Sequence, residues 1–526
     1  MPSTRPPDRV LNAAAWFVDR HLDEGRADSI AIECGDRRLT YRDLQEQVNR
    51  AGSALRNELG VRPEERIVLL LLDGPEMIAA FFGAIKIGAV PVPLNTRWTA
   101  AEYEYVLRDC GARVIILSGT LFAEAIKAIR ACSSVRHVVV CGEDVDDVQA
   151  IPFQKLVADS SPVLDAEPTD RDAPAFWLYS SGTTGPPKGC VHLQHDMAVC
   201  AENYARGVLG IHERDRCFSV AKLFFAYGLG NSMYFPFSVG AATILWPGAV
   251  TPAIVFDVIE RYRPTLFFSV PTHYAMLLAH TSPDREFDLS SVRSAVSAGE
   301  ALPPALFHRF RERFGIEILD GIGSTEILHI FISNSPGRTR PGSSGLLVPG
   351  YEARLVDENG QTVPRGELGD LIVRGDSTCA FYWNQHEQTK DTIAGHWIRT
   401  GDKYQQDEDG YFWFAGRSDD MLKVGGIWVS PAEVEHLLLE HPAVQACAVT
   451  GREDRDGLIK PVAHVVLRHG IASDAELGGE LQQFARQRLA EYKRPRWIEF
   501  VAALPVTATG KIQRFKLRAG PLPPSA

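Results

Sequence analysis

The sequence has no CxxC pair: its nine cysteines are scattered from Cys34 to Cys447 with none of the spacings of a zinc-ligand set. That pattern points to a reducing compartment rather than a thiolate metal site. Basic charge is missing too. A formal charge of −11 leaves no footprint for nucleic acid, so a polyanionic ligand must be met by local lysines, arginines and backbone N–H groups. The most apolar stretch, Ile67 to Leu94, is interrupted by Asp73, Glu76 and Lys86 and broken at Gly74-Pro75, which excludes a membrane span. The opening MPSTRPPDRV lacks the apolar core of a secretory signal, and no repeat of fixed period is present. A soluble cytoplasmic protein with small-molecule partners, and neither nucleic acid nor membrane among them, is the expectation.

What is present fits a globular chain. Its 526 residues, 45% hydrophobic and 23% charged, are enough for more than one core. After Thr40, the residues Leu44, Val48, Ala51, Leu55 and Leu59 fall on one helical face, with Thr40 and Asp43 spaced as a capping box and Gly60 as the stop. Short apolar strands near residues 67–72, 89–94, 112–117 and 135–140 then alternate with helices, which predicts parallel α/β layers. From about Gly345 short alternating strands with tight turns predict a small β unit. Beyond the charged run Gly416 to Lys423, Ser430-Pro431-Ala432-Glu433 reads as a capping box with proline at the first helical position. The fold class is therefore α/β: a large N-terminal domain, residues 1–418, of layered α/β sheets plus a small β unit, and a smaller mobile α+β C-terminal domain, residues 419–526, of lid size.

The chemistry gathers in loops. Tyr179-Ser180-Ser181-Gly182-Thr183-Thr184-Gly185-Pro186-Pro187-Lys188-Gly189 alternates hydroxyls with glycines and ends in a lysine, the composition of a loop that wraps a polyphosphate. It is not a Walker A loop, because Lys188 is followed by Gly189 and Cys190 rather than Ser or Thr. Three further strands end in Phe267 to Pro271, Ser294 to Glu300 and Ile318 to Glu326. Ligands of open α/β sheets collect beyond the carboxyl ends of strands, so these ends predict one shared nucleotide site.

Six ordered motifs carry a family resemblance: YSSGTTGPPKG, SAGEALP, GIGSTE, RTGD at Arg399 to Asp402, GRSDDMLKVGG and TATGKIQR. From near residue 15 to residue 518 the chain resembles the acyl-adenylate-forming enzymes, the group of acyl-CoA synthetases, luciferases and peptide-synthetase adenylation domains. Within that group FFAYGLGNSMYFP, DGIGSTEILHIF and MLKVGGIWVSPAEVE are similar to benzoate-CoA ligases and their substituted-benzoate relatives. The resemblance implies ATP, Mg²⁺ and coenzyme A as cofactors and a two-step reaction: a carboxylate attacks the ATP α-phosphate, then the CoA thiol attacks the acyl-AMP.

It also implies roles for particular residues. Ser180, Ser181, Gly182, Thr183, Thr184, Gly185 and Lys188 would hold the β- and γ-phosphates. Gly299, Glu300, Asp320, Gly321, Ile322, Gly323 and Ser324 would frame the AMP moiety; many members carry an aromatic residue where Ile322 stands, so apolar contact with the adenine is expected there. Thr325 would contact the α-phosphate, Glu326 would bind Mg²⁺, and Asp402 with Arg417 would hold the ribose. Lys511 would bridge the carboxylate and the α-phosphate, Asp419 would be the hinge, and Gly425, Gly426 and Trp428 would form the CoA tunnel. Phe225, Ala226, Tyr227, Gly228, Gly323, His329 and Ile330 would line the acid pocket.

The pocket also has content of its own. Lys222 to Ser232 contains no carboxylate to pair a substrate ammonium, so an α-amino acid is disfavoured and an aryl acid preferred, with His329 either core or the polar partner of a ring substituent such as a 2-amino or 4-hydroxy group. Rival readings are transfer to an acyl carrier protein, which would be a separate partner because the chain closes on AGPLPPSA, or a medium-chain acyl-CoA synthetase. A non-catalytic nucleotide-binding protein is opposed by the joint presence of Lys511, Glu326, Asp402 and Arg417, and a P-loop kinase would form ADP. Monomer and homodimer both remain open.

Overall fold

The structure is a computed structural model and describes residues 10–142, 145, 147, 149–180, 186–281, 287–418, 420–424, 427–455, 458–506 and 512–518. Two sheets organise its first half. The strands Val90–Pro93, Arg66–Leu70, Val114–Ser118, His137–Cys141 and Ala150–Pro152 form a five-stranded sheet whose pairings are all parallel. A nine-stranded sheet has a parallel middle running Ile318–Gly323, Ser294–Ser297, Leu266–Ser269, Arg216–Ser219, Ala242–Ile244 and Ile30–Cys34. These central strands are almost wholly buried, as strands covered on both faces are.

The helix after Thr40 spans Tyr41–Ser53 with its capping box complete, and a π-helical turn, Ala54–Glu58, carries it toward the positive-φ Gly60. It packs on the helix Pro75–Lys86 at close range, since a Cβ at Gly83 would lie 2.8 Å from the Gly52 nitrogen. The largest hydrophobic core joins these helices to both sheets.

The strands Pro174–Ser180 and Lys188–Leu193 are antiparallel neighbours, with Phe381–Tyr382 on the outer edge of the second. The loop after Ser180 therefore returns into a strand, whereas a Walker A loop opens a helix. A mainly antiparallel sheet of Glu352–Val356, Leu368–Arg374, Trp397–Gln406, Ile393–Ala394 and Phe412–Arg417 is the small β unit.

From Leu422 onward the chain has a core of its own, in which Val434 and Leu438 of the helix Pro431–Leu439 meet Val449, Ala463 and Leu481. Ser430 caps that helix through the Glu433 N–H, but the second half of the expected capping box is replaced: the Glu433 carboxylate holds Lys493 at 2.7 Å. A distant cation competed successfully for a carboxylate that local spacing assigned to the backbone.

Candidate active site

The turn after the strand Ile318–Gly323 is held from behind, one carbonyl at a time. His192 Nε2 lies 2.8 Å from the Thr325 carbonyl, the Cys379 N–H donates to the Glu326 carbonyl at 2.7 Å, and Ser377 Oγ donates to the Ile327 carbonyl at 2.9 Å. A carbonyl only accepts, so His192 carries a proton on Nε2, and its Nδ1 faces Asp196 Oδ2 at 2.8 Å. His192 and Asp196 are fully buried. Two positions in the turn are sterically demanding. Leu328 sits at φ 73°, which costs a non-glycine residue on the order of 1 kcal/mol. A Cβ on Gly323 would stand 2.7 Å from the His329 carbonyl oxygen, so glycine alone lets strand and turn meet. The result presents Ser324, Thr325 and Glu326 half-buried at the strand end.

Glu326 leads outward from this turn. Its Oε1 accepts from the Tyr382 hydroxyl at 2.8 Å, and the Lys188 ammonium lies 5.4 Å from the centre of the Tyr382 ring. Ser180 and Lys188 face each other across the antiparallel pair, which places the lysine at the root of the hydroxyl-rich loop. Ser181, Gly182, Thr183, Thr184 and Gly185 lie outside the described residues.

The strand Ser294–Ser297 leads to Gly299, at φ 95°, and to the half-buried Glu300. Asp320 turns its carboxyl inward, where it accepts from the Leu302 N–H at 3.3 Å, and burial raises its pKa well above the ordinary value. Asp402 and Arg417 stand opposite each other in the small β unit and pair at 2.9 Å, Arg417 also donating to the Thr400 carbonyl.

Of the residues expected to line an acid pocket, Tyr227 sits at the carboxyl ends of two central strands. Tyr227 OH lies 3.2 Å from both the Ser269 and the Val296 carbonyls, fastening its loop to the sheet. Phe225, Ala226 and Tyr227 are half-buried, whereas Gly228, His329 and Ile330 are fully covered. Gly228 is required by the tight loop, since a Cβ there would fall 2.1 Å from the Lys222 carbonyl. The Lys222 ammonium is taken up by the Trp246 and Gly248 carbonyls and lies 3.7 Å from Asp73, while Asp73 accepts the Leu223 N–H. Burial pushes the Asp73 carboxyl up to about 6.

His329 is packed among the rings of Tyr204, Tyr227, Tyr234 and Phe235. Its Nε2 faces two acceptors at 3.2 Å, the Tyr227 carbonyl and Asn231 Oδ1, so that nitrogen carries the proton. Its Nδ1 is buried without a partner, and burial pushes the ring pKa down to about 3.

Lys511, Asp419, Gly425 and Gly426 lie outside the described residues, as does the side chain of Trp428. Just beyond Lys511, Arg514 is clamped by Glu435 at 2.8 Å.

Tyr382, His192 and Asp73 join the site without belonging to any of the sequence motifs, and Asn231 belongs to one without having been given a role. Tyr382 and Glu326 are 56 residues apart, and no local pattern pairs them. His192 has a faint signal, a histidine four residues before an aspartate in the strand that leaves the phosphate loop.

The AMP-binding enzyme model matches residues 18–383, and the AMP-binding enzyme C-terminal domain model matches residues 433–511. This chain is an AMP-binding enzyme. The AMP-binding enzyme is 47% identical over 98% of its length to a benzoate–CoA ligase of Thauera aromatica, covering 97% of that protein. It is 43% identical over 97% of its length to a 4-hydroxybenzoate–CoA/benzoate–CoA ligase of Rhodopseudomonas palustris, covering 94% of that protein. Among solved structures, an anthranilate CoA ligase in complex with anthranoyl-AMP superposes with a TM-score of 0.93 at 46% identity, with 97% of each chain covered. A benzoate CoA ligase from Burkholderia xenovorans LB400 superposes with a TM-score of 0.88 at 46% identity, covering 96% of this chain and 99% of that one.

A folded-state pKa depressed from 6.5 to about 3 makes His329 a source of stability above pH 6.5 that is lost as pH falls toward 3, because only the unfolded chain takes up the proton. Urea unfolding of the wild type and of His329→Asn at pH 6.5 and pH 5.0 should show the wild type losing on the order of 2 kcal/mol more than the variant.

Proposed function

We propose that the protein is an AMP-forming aryl-acid:CoA ligase that acts on benzoate or a ring-substituted benzoate. The observation that carries this reading is the uncharged aromatic setting of Tyr227 and the buried, neutral His329, whose rings face each other next to the turn of Thr325 and Glu326. Asp73, the carboxylate that contacts the pocket loop, is engaged by Lys222 and the Leu223 N–H, which leaves it no role for a substrate ammonium. An amino-acid substrate would bury an unpaired charge at a cost of several kcal/mol. The family, the curated relatives and the solved neighbours support the same class.

In the first half-reaction the substrate carboxylate attacks the ATP α-phosphate. Thr325 donates to the phosphate at which negative charge develops, and Lys188 with the hydroxyls around Ser180 holds the leaving pyrophosphate. Asp402 accepts from the ribose hydroxyls with Arg417 fixing its direction, and Ile322 contacts the adenine. Preorganised donors of this kind supply most of the rate enhancement in such reactions. Lys511 brings its ammonium between carboxylate and α-phosphate; a compact charge on a long stem suits the task.

Glu326 is the Mg²⁺ ligand in this reading. The residues fit that ion: Glu326 offers a hard carboxylate oxygen next to Tyr382 and Lys188. Glu326 would hold the ion as its protein ligand, one carboxylate together with substrate phosphates being a common way for a protein to bind Mg²⁺. When bound it neutralises charge on the β- and γ-phosphates.

The unit from residue 419 to 526 then swings about Asp419. Gly425, Gly426 and Trp428 take the place of Lys511 and line the path along which the CoA thiol reaches the acyl carbonyl. His329 Nδ1 accepts from a ring donor, which favours amino- or hydroxybenzoates over acids without one.

Acyl-CoA formation should be measured across benzoate, 2-aminobenzoate, 4-hydroxybenzoate, medium-chain acids and amino acids. The benzoates should exceed the aliphatic acids by about a hundredfold in kcat/KM; turnover of an aliphatic acid with none on benzoates contradicts the assignment. Lys511→Ala should lose about 10²–10³ in adenylation while keeping thioester formation from supplied aryl-adenylate, and equal loss of both would reject its role.

A further inference from the structure

Tyr382 touches both groups assigned to the phosphate end of the site. Its hydroxyl donates to Glu326 Oε1 at 2.8 Å, and its ring face lies 5.4 Å from the Lys188 ammonium, within reach of a cation–π attraction. The side chain has little freedom to do otherwise. It is 4% exposed, its N–H is held by Thr389 Oγ1 at 3.1 Å, and it pairs with Cys190 across the sheet edge. A phenol hydroxyl that faces a carboxylate oxygen at that distance is the donor of the pair.

We propose that Tyr382 is a positioning residue for the metal and polyphosphate: its hydroxyl fixes one Glu326 oxygen so that the other is aimed at the cation, and its ring steers Lys188 toward the same phosphates. This rests on the reading of Glu326 as the Mg²⁺ carboxylate. A group that orients a metal ligand through a hydrogen bond changes metal affinity when removed, typically by tenfold to a hundredfold. AMP, which carries neither the β- and γ-phosphates nor the ion, makes no use of it.

Calorimetric titration of the full-length protein without acid or CoA reads this without turnover. Tyr382→Phe keeps the ring and should raise the Kd for Mg·ATP about tenfold or more, shift half-saturation by Mg²⁺ upward at fixed ATP, and leave the Kd for AMP unchanged. Tyr382→Leu should weaken metal-free ATP as well, because the ring beneath Lys188 is then lost. In a Glu326→Gln background Tyr382→Phe should add little, since the two groups act as one unit. If Glu326→Gln weakens Mg·ATP and Tyr382→Phe does not, the Tyr382 proposal fails and the metal reading stands. If neither does, the metal reading fails and takes the proposal with it. Equal weakening of AMP and Mg·ATP by Tyr382→Phe marks a merely structural role and overturns the proposal.

Discussion

Three successive carbonyls, those of Thr325, Glu326 and Ile327, are each held by a donor from another part of the chain, and the site depends on that restraint. The turn follows a strand that ends in glycine and includes a leucine at positive φ, a conformation the local sequence does not favour. His192 comes from the strand leaving the phosphate loop, and Ser377 and Cys379 from the chain entering the edge strand Phe381–Tyr382. Fixing the turn therefore also fixes its spacing from the strands Lys188–Leu193 and Phe381–Tyr382. Oriented donors and a carboxylate that need no rearrangement during reaction are the form of catalysis such a site can supply.

Charge is handled in the opposite way at the acid pocket. Asp73 and Lys222 neutralise each other at the back of the pocket loop, and His329 is kept neutral by burial among aromatic rings. In the proposed reaction a flat apolar acid enters without displacing a paired charge, and the negative charge of its carboxylate and of the phosphates is met at the strand ends by backbone donors and Thr325.

Much of this was legible in the sequence because it rests on local rules. The Thr40 capping box, the alternating strands and helices, and the glycine-rich strand ends follow from periodicity and cap chemistry, and the structure forms the expected α/β layers. Asp402 and Arg417, named only through a family motif, meet at 2.9 Å. What escaped depends on contacts between distant segments. Tyr382 reaches Glu326 across 56 residues, Asp73 anchors a loop 150 residues later, and Glu433 leaves its helix N-terminus for Lys493. Packing of layers decides such pairs, and no spacing in the chain encodes them.

In the proposed reaction ATP is cleaved between its α- and β-phosphates at this site. Quantifying AMP, pyrophosphate, ADP and acyl-CoA after incubation with benzoate, ATP and CoA tests it most directly. Equal amounts of AMP, pyrophosphate and benzoyl-CoA with no ADP are expected; ADP and phosphate formed alongside the thioester would rule this cleavage out.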